Sequence, residues 1–221
     1  MITKIFFWKV PRSKILWAIL QMWFSRAHLK RDKQIKFWKL LGTGKGETFT
    51  PKDADPTRWG LLISIQEEGL AEFENSKLIT RWNKIAISSY SAELKCISVH
   101  GSWSRKLPFK AELDPREWNG KIAAITRARI KFFKNSIFWR SVPPVTLSLK
   151  NSPGLLNAIG IGEAPLGLQG TFSLWKDPLS VSTFAYRGEA HKEAIKATER
   201  ERWYAEELFS RFAVVKEKGN L

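Results

Sequence analysis

The sequence predicts an α+β protein in which two ferredoxin-like βαββαβ repeats pair as a pseudo-dimeric barrel or sandwich. Three observations lead there. Short echoes recur in the same order at a spacing of somewhat more than one hundred residues. Each half alternates strand-period and helix-period segments in the same succession. With 221 residues, 43% apolar and 26% charged, the chain has the composition of a globular protein with a sizeable core.

Four echoes define the duplication. Ile15-Leu16-Trp17 returns as Ile137-Phe138-Trp139 and Gly42-Thr43-Gly44 as Gly160-Ile161-Gly162, at offsets of 122 and 118 residues. Gly60–Ile65 returns as Gly170–Trp175, and Tyr90–Leu94 as Tyr204–Leu208, at offsets of 110 and 114. The shrinking offset means a shorter connection in the second copy, chiefly the stretch 45–58, which is reduced to 163–168. The halves divide into residues 1–115, with a basic N-terminal region, and 116–221.

Each half opens on a strand, Lys4–Val10 or Ile122–Lys131. A helical stretch follows, opened in the first copy by Ser13 as N-cap and running through Ala27. Two strands then flank a Gly-x-Gly turn: Ile35–Leu41 and Trp59–Gln66 in the first half, Leu155–Ile161 and Leu168–Trp175 in the second. A second helix and a last strand complete each unit. In the second half Asp177 and Pro178 form a helix start, as N-cap and first-turn proline.

Composition removes several functions. One cysteine, Cys96, excludes an internal disulfide and multi-cysteine zinc or iron–sulfur sites, and suits a reducing cytoplasm. No apolar run approaches bilayer-spanning length, and no cleavage signal follows a clean hydrophobic stretch. Three histidines, His28, His100 and His191, are too few and too scattered for a zinc hydrolase or a two-histidine iron site. His191-Lys192-Glu193 lacks the Pro-Cys-x-x-Cys of a zinc deaminase, and Gly42–Gly46 lacks the spacing of a phosphate loop. Haem needs only one axial histidine, so it stays open. On a helix from about Glu189 to Arg200, His191 shares a face with Ala194, Ile195 and Thr198, which leaves room for a flat macrocycle. Periodicity alone favours a satisfied core histidine there.

Several stretches carry a resemblance. Thr126-Arg127-Ala128-Arg129-Ile130, the run Phe138–Val145 (FWRSVPPV), GIGEAPL at Gly160–Leu166 and QGTFSLW at Gln169–Trp175 resemble the core pattern of spheroidene monooxygenases. AYRGEAHKEAI at Ala185–Ile195, WYAEELFSRF at Trp203–Phe212 and FWKLLGTGKGETFTP at Phe37–Pro51 are similar to the family's two ends, so most of the chain is covered. The resemblance implies a soluble, membrane-associating haem protein of carotenoid biosynthesis. Such a protein uses dioxygen and external electrons, typically from a ferredoxin, to place a keto oxygen on an acyclic carotenoid. His191 matches the family's histidine and becomes the expected proximal ligand of haem b iron. Arg127, Arg129 and Arg140 are inferred as propionate partners because a guanidinium suits bidentate carboxylate pairing; ordinary solvated strand-end charge is the equal alternative. His28 is expected to face solvent. His100 and Trp103 are candidates for an opposite wall, with a structural role favoured.

Charge is unevenly placed. The chain carries a formal +16, and residues 1–45 hold eleven Lys or Arg against one acid, Asp32. Interleaved with Phe6, Phe7, Trp8, Trp17, Trp23 and Phe24, this end suits an anionic membrane surface, hence a cytoplasmic protein with peripheral contact expected at the inner membrane; nucleic acid is the disfavoured partner, and for the Trp-rich helix near Ile15–Phe24 packing on the sheet is favoured over lying on a membrane. The expected function is haem-dependent oxygenation of a lipophilic substrate. Two alternatives stand beside it: a haem enzyme of other chemistry, such as an aldoxime-dehydratase-like lyase that needs no reductase, and a non-enzymatic basic module binding membrane or nucleic acid.

Overall fold

The computed structural model describes residues 1–45, 53–130, 148–163, 170–187 and 204–221. Its strands are β1 (Ile2–Lys9), β2 (Ile35–Gly44), β3 (Ala54–Ile65), β4 (Ser88–Gly101), β5 (Ile122–Ile130), β6 (Leu155–Glu163), β7 (Gly170–Trp175) and β8 (Tyr204–Gly219). The helices are α1 (Ile15–Arg31), α2 (Glu67–Glu74), α3 (Lys77–Ile85) and α4 (Pro178–Arg187). All ladders are antiparallel and close into a barrel in the order β1-β3-β2-β6-β7-β5-β8-β4. The first repeat supplies β4-β1-β3-β2 and the second β8-β5-β7-β6, the same order. The expected α+β fold of paired ferredoxin-like repeats is therefore present, in its barrel form.

Strand periodicity of two decides which residues face inward. Ile5 and Phe7 of β1, Leu62 of β3, Ile125 of β5, Phe172 and Leu174 of β7, and Phe212 of β8 fill the barrel interior. The opposite faces meet the helices. In the first repeat, Trp8 stacks between Phe6 and Trp82 of α3, with ring centroids 5.3 and 5.1 Å apart, and donates its indole N–H to Asn83 Oδ1 at 2.7 Å. Trp17 of α1 meets Trp82 edge-on at 5.2 Å.

The register makes the duplication concrete. Gly60 stands opposite Phe7 across β3–β1, and Gly170 opposite Arg127 across β7–β5. Both glycines are needed where they are: a Cβ on Gly60 would lie 2.9 Å from the Phe7 ring, and one on Gly170 would lie 2.3 Å from Thr126 O. The same column puts Tyr90 beside Phe7 and Leu208 beside Arg127, so the counterpart of Tyr90 is Leu208 rather than Tyr204.

Two local expectations are corrected. Gly42–Gly44 and Gly160–Gly162 are not turns; they lie within β2 and β6 and pair with each other, Gly42 with Gly162 and Gly44 with Gly160. Each stretch is paired on both sides, Gly42–Gly44 with β3 as well as β6 and Gly160–Ile161 with β7 as well as β2, and the partner in the other repeat is the one that local pattern cannot see. Ser13 does not cap α1. Pro11, at φ −64° and ψ 152°, accepts from Lys14 N at 2.8 Å and starts a 3-10 turn that absorbs Ser13, so the α-helix begins at Ile15 without a side-chain cap. It then runs past Ala27 to Arg31, where Asp32 leaves the helix and its Oδ1 accepts from Gln34 N at 2.9 Å. The helix start at Asp177 and Pro178 is present, with Asp177 Oδ1 accepting from Ser180 N at 2.7 Å. The Ile137–Trp139 echo and the helix at 189–200 lie outside the described residues. Among these, no helix is long and apolar enough to cross a membrane.

Candidate functional site

Two places collect chemistry. The first is a charged plug inside the barrel. Alternation along β5, β6 and β8 carries the inward register past the apolar residues to Arg127, Glu163 and Glu206, and Lys39 joins them from β2. Arg127, 4% exposed, donates to Glu206 through Nη1 and to Glu163 Oε1 through Nη2 at 3.2 Å. Lys39 Nζ meets Glu163 Oε2 at 2.5 Å, and Trp103 Nε1 donates to Glu163 Oε1 at 2.6 Å. Glu206 also accepts from Ser102 Oγ at 3.1 Å and from two backbone amides, Ser104 N at 3.1 Å and Arg105 N at 2.6 Å. Ser104 and Arg105 hold φ of 55° and 59°, the left-handed conformation that turns both amides onto one anion.

These contacts fix the protonation states. Burial works to raise the Glu206 carboxyl, but the donated hydrogen bonds of Arg105, Arg127 and Ser104 and the Arg127 charge outweigh it and lower it to about 2. For Glu163, burial is likewise overcome by hydrogen bonds from Lys39 and Trp103 and by the charges of Lys39 and Arg127, and its carboxyl lies below the usual range. Both stay ionised and fully engaged, so this cluster fastens the barrel rather than exchanging protons. Arg129, 46% exposed, reaches Glu206 Oε2 at 3.5 Å. The structure thus brings Arg127 and Arg129 together around one carboxylate; Arg140 lies outside the described residues.

The second place is the outer face of the second repeat. Successive rows across β5, β7 and β6 read Ile122–Trp175–Leu155, then Ala124–Ser173–Ala158, then Thr126–Thr171–Gly160, with Ala128 and Gly162 beyond. The corresponding rows of the first repeat read Ile2–Ile65–Ile35, Lys4–Ile63–Trp38, Phe6–Leu61–Leu40 and Trp8–Trp59–Gly42. One row is bulky in both repeats. The next two are bulky in the first and small in the second. Ser173, Gly160, Gly162 and Ala128 are nevertheless buried. The three strands span roughly 10 Å and the two small rows about 7 Å along them, with Ala128 and Gly162 lengthening the bed. Helix α4 borders it: Val181 packs with Ile122, Trp175 and Ala213, and Phe184 lies 5.3 Å from the Trp175 ring.

The remaining candidates place as follows. His28 is exposed, as expected, and so is His100, whose side chain is 79% exposed with Glu207 3.9 Å away; it lines no wall. Trp103 is buried in the plug and has the structural role. His191 lies outside the described residues, four positions past Arg187, the last residue of α4. Among the described residues no three His, Cys, Asp or Glu side chains could hold a metal ion. A cavity of about 240 Å³ opens near Thr3, Phe37, Ser64, Cys96 and Phe109, below the usual size for a drug-sized ligand. Burial, with the Glu112 charge, pushes the Cys96 thiol up to about 12, so it is no nucleophile.

Sequence reasoning missed Glu163 and Glu206, although both stand in phase with inward apolar residues, Ile159-x-Ile161-x-Glu163 and Glu206-x-Leu208. It also missed the small-residue bed. Its signal was there in Ala124-x-Thr126-x-Ala128 and Ala158-x-Gly160-x-Gly162.

The chain is 37% identical to spheroidene monooxygenase of Cereibacter sphaeroides over 206 residues, which are 92% of this chain and 63% of that protein's length. It is 36% identical to the Rhodobacter capsulatus spheroidene monooxygenase over 214 residues, 94% of this chain and 87% of the relative. For that of Rubrivivax gelatinosus the figures are 32% over 187 residues, 83% and 70%. No family profile matches the chain. Among solved structures, aldoxime dehydratase OxdRE, crystallised with butyraldoxime, matches at a TM-score of 0.61 and 10% identity over all of this chain and 82% of its own; this likeness is one of fold.

Proposed function

The chain belongs to the spheroidene monooxygenase family, and from that premise we propose that it is a haem-dependent monooxygenase of a lipophilic substrate, an acyclic carotenoid or a comparably long apolar molecule. One observation carries the reading: the outer face of β5-β7-β6 keeps two rows of small side chains where the first repeat has tryptophan, phenylalanine and leucine. A bed of that extent, buried at Ser173 and Gly160, half-buried at Ala124, Thr126, Ala158 and Thr171, and free of bulky side chains, fits a flat macrocycle. When bound, haem b supplies dioxygen activation, with electrons from an external donor such as a ferredoxin.

The chain's own residues do the rest. Ala124, Ser173, Ala158, Thr126, Thr171 and Gly160 present a low, even surface with three hydroxyl groups, and the closed ladder beneath them keeps water from approaching through the sheet. His191, which follows α4 closely in sequence, is the residue that would hold the haem iron. Arg127 and Arg129 both meet Glu206 from the inward register of β5, the opposite side of the sheet from Thr126 and Ala128, so the bed itself offers no guanidinium from β5.

The test is a hemin titration of the full chain, with spectra of ferric, ferrous and ferrous-CO forms, beside His191→Ala. A stoichiometric Soret band, altered or lost in His191→Ala, supports the reading; no binding at saturating hemin overturns it. With haem in place, product formation that requires both dioxygen and a reductant separates oxygenation from a lyase reaction, which would proceed without either.

A further inference from the structure

Helix α1 is apolar on two sides, and among the described residues only one of them is covered. Ala18, Met22, Ser25 and Leu29 are buried against the first repeat's sheet. On the opposite side Leu16 is 70% exposed, Ile19 49%, Leu20 48%, Trp23 70% and Phe24 62%. At 3.6 residues per turn these five fall on one continuous face of two turns and more. A helix that is hydrophobic all round is ordinarily enclosed on all sides, and five large side chains clustered in water mark a contact surface rather than scattered exposure.

The rim identifies the occupant. Arg12 and Lys14 precede the face, Arg26 flanks it with its guanidinium 5.9 Å over the Trp23 ring, and Lys30, Arg31, Lys33 and Lys36 follow it, all exposed. The sole acid in residues 1–45 is Asp32. A second copy of this chain seated face to face would bring two such rims together and repel. A nucleic acid would match the charge but leave Leu16, Ile19 and Leu20 against a phosphate-rich surface. An apolar strip inside a cationic frame fits the headgroup boundary of an anionic bilayer, where aliphatic and aromatic side chains enter the acyl region and Lys and Arg meet lipid phosphates.

We propose that the exposed face of α1, centred on Leu16, Leu20, Trp23 and Phe24, docks this protein in-plane on an anionic lipid surface. The proposal stands on α1 alone and holds whether or not haem binds the second repeat. Co-sedimentation of the full chain with phosphatidylglycerol-containing vesicles and with pure phosphatidylcholine vesicles tests it, beside the triple variant Leu16→Ser/Trp23→Ser/Phe24→Ser. All three side chains are more than half exposed, so the melting temperature should hold. The expected result is binding to the anionic vesicles, weakened about tenfold or more on phosphatidylcholine, in about 0.5 M salt, or in the variant. Equal binding by the variant, no binding by the wild type, or self-association or DNA binding that the variant abolishes while vesicles remain unbound would each overturn it.

Discussion

Where the first repeat stacks Phe6, Trp8 and Trp82 between sheet and helices, the second presents Thr126, Ala128 and Thr171 from the corresponding strands. The inward faces differ as well. Phe7 packs against Phe172 at 5.3 Å, whereas its counterpart Arg127 is held by Glu163 and Glu206. One ladder thus serves two purposes. Among the described residues the first repeat uses its outer surface as core; the second keeps that surface low, where we propose that haem lies, and fastens the barrel from within by ion pairs. A duplicated fold can separate stability from binding in this way because the register, set by backbone pairing, tolerates either kind of side chain.

Substitutions can break that division. Trp8→Ala should be the most costly, about 4 kcal/mol in chemical denaturation, because it empties the stack and leaves Asn83 without its indole donor. Arg127→Ala should follow at about 3 kcal/mol, because it removes the buried cation shared by two carboxylates that burial disfavours; Arg127→Ala/Glu206→Gln should recover part of the loss. Thr126→Ala and Thr171→Ala, on the reserved surface, should each cost under about 1 kcal/mol, and a loss comparable to that of Trp8→Ala would show the bed to be ordinary core.

Acid sharpens the contrast between the two interiors. The folded-state carboxyl of Glu206 lies near 2 against an ordinary 4.5, so its contribution to stability is complete above pH 4.5 and disappears as pH falls from 4.5 through 2. Glu163 is shifted in the same direction. Melting temperature should therefore decline across that window, and Glu206→Gln should flatten the decline without abolishing it. An unchanged slope in the variant would place the acid sensitivity elsewhere.

Much of the fold was legible because it rests on local pattern: the short apolar strand runs Gly60–Ile65 and Gly170–Trp175, and the Asp177-Pro178 helix start. What failed depended on distant partners. Gly42–Gly44 looks like a turn until β6 is laid beside it, and Arg127 looks like a strand-end charge until β6 and β8 bring Glu163 and Glu206 to it. Trp103 and Glu206 sit about one hundred residues apart and meet only through the turn at Ser104 and Arg105. The bed was hidden for another reason. Small residues leave little mark on a hydrophobicity pattern, and only comparison with Phe6, Leu61 and Leu40 in register shows what is missing.

The most direct measurement is a hemin titration of Thr126→Phe/Thr171→Leu, which gives the second repeat the side chains of Phe6 and Leu61, alongside the wild type and with circular dichroism as a check on the fold. The account predicts a native-like spectrum for both, a saturable Soret band for the wild type, and about a hundredfold or greater loss of haem affinity in the double variant, worth about 2.7 kcal/mol or more. A well-folded variant that binds haem as tightly as the wild type would contradict it.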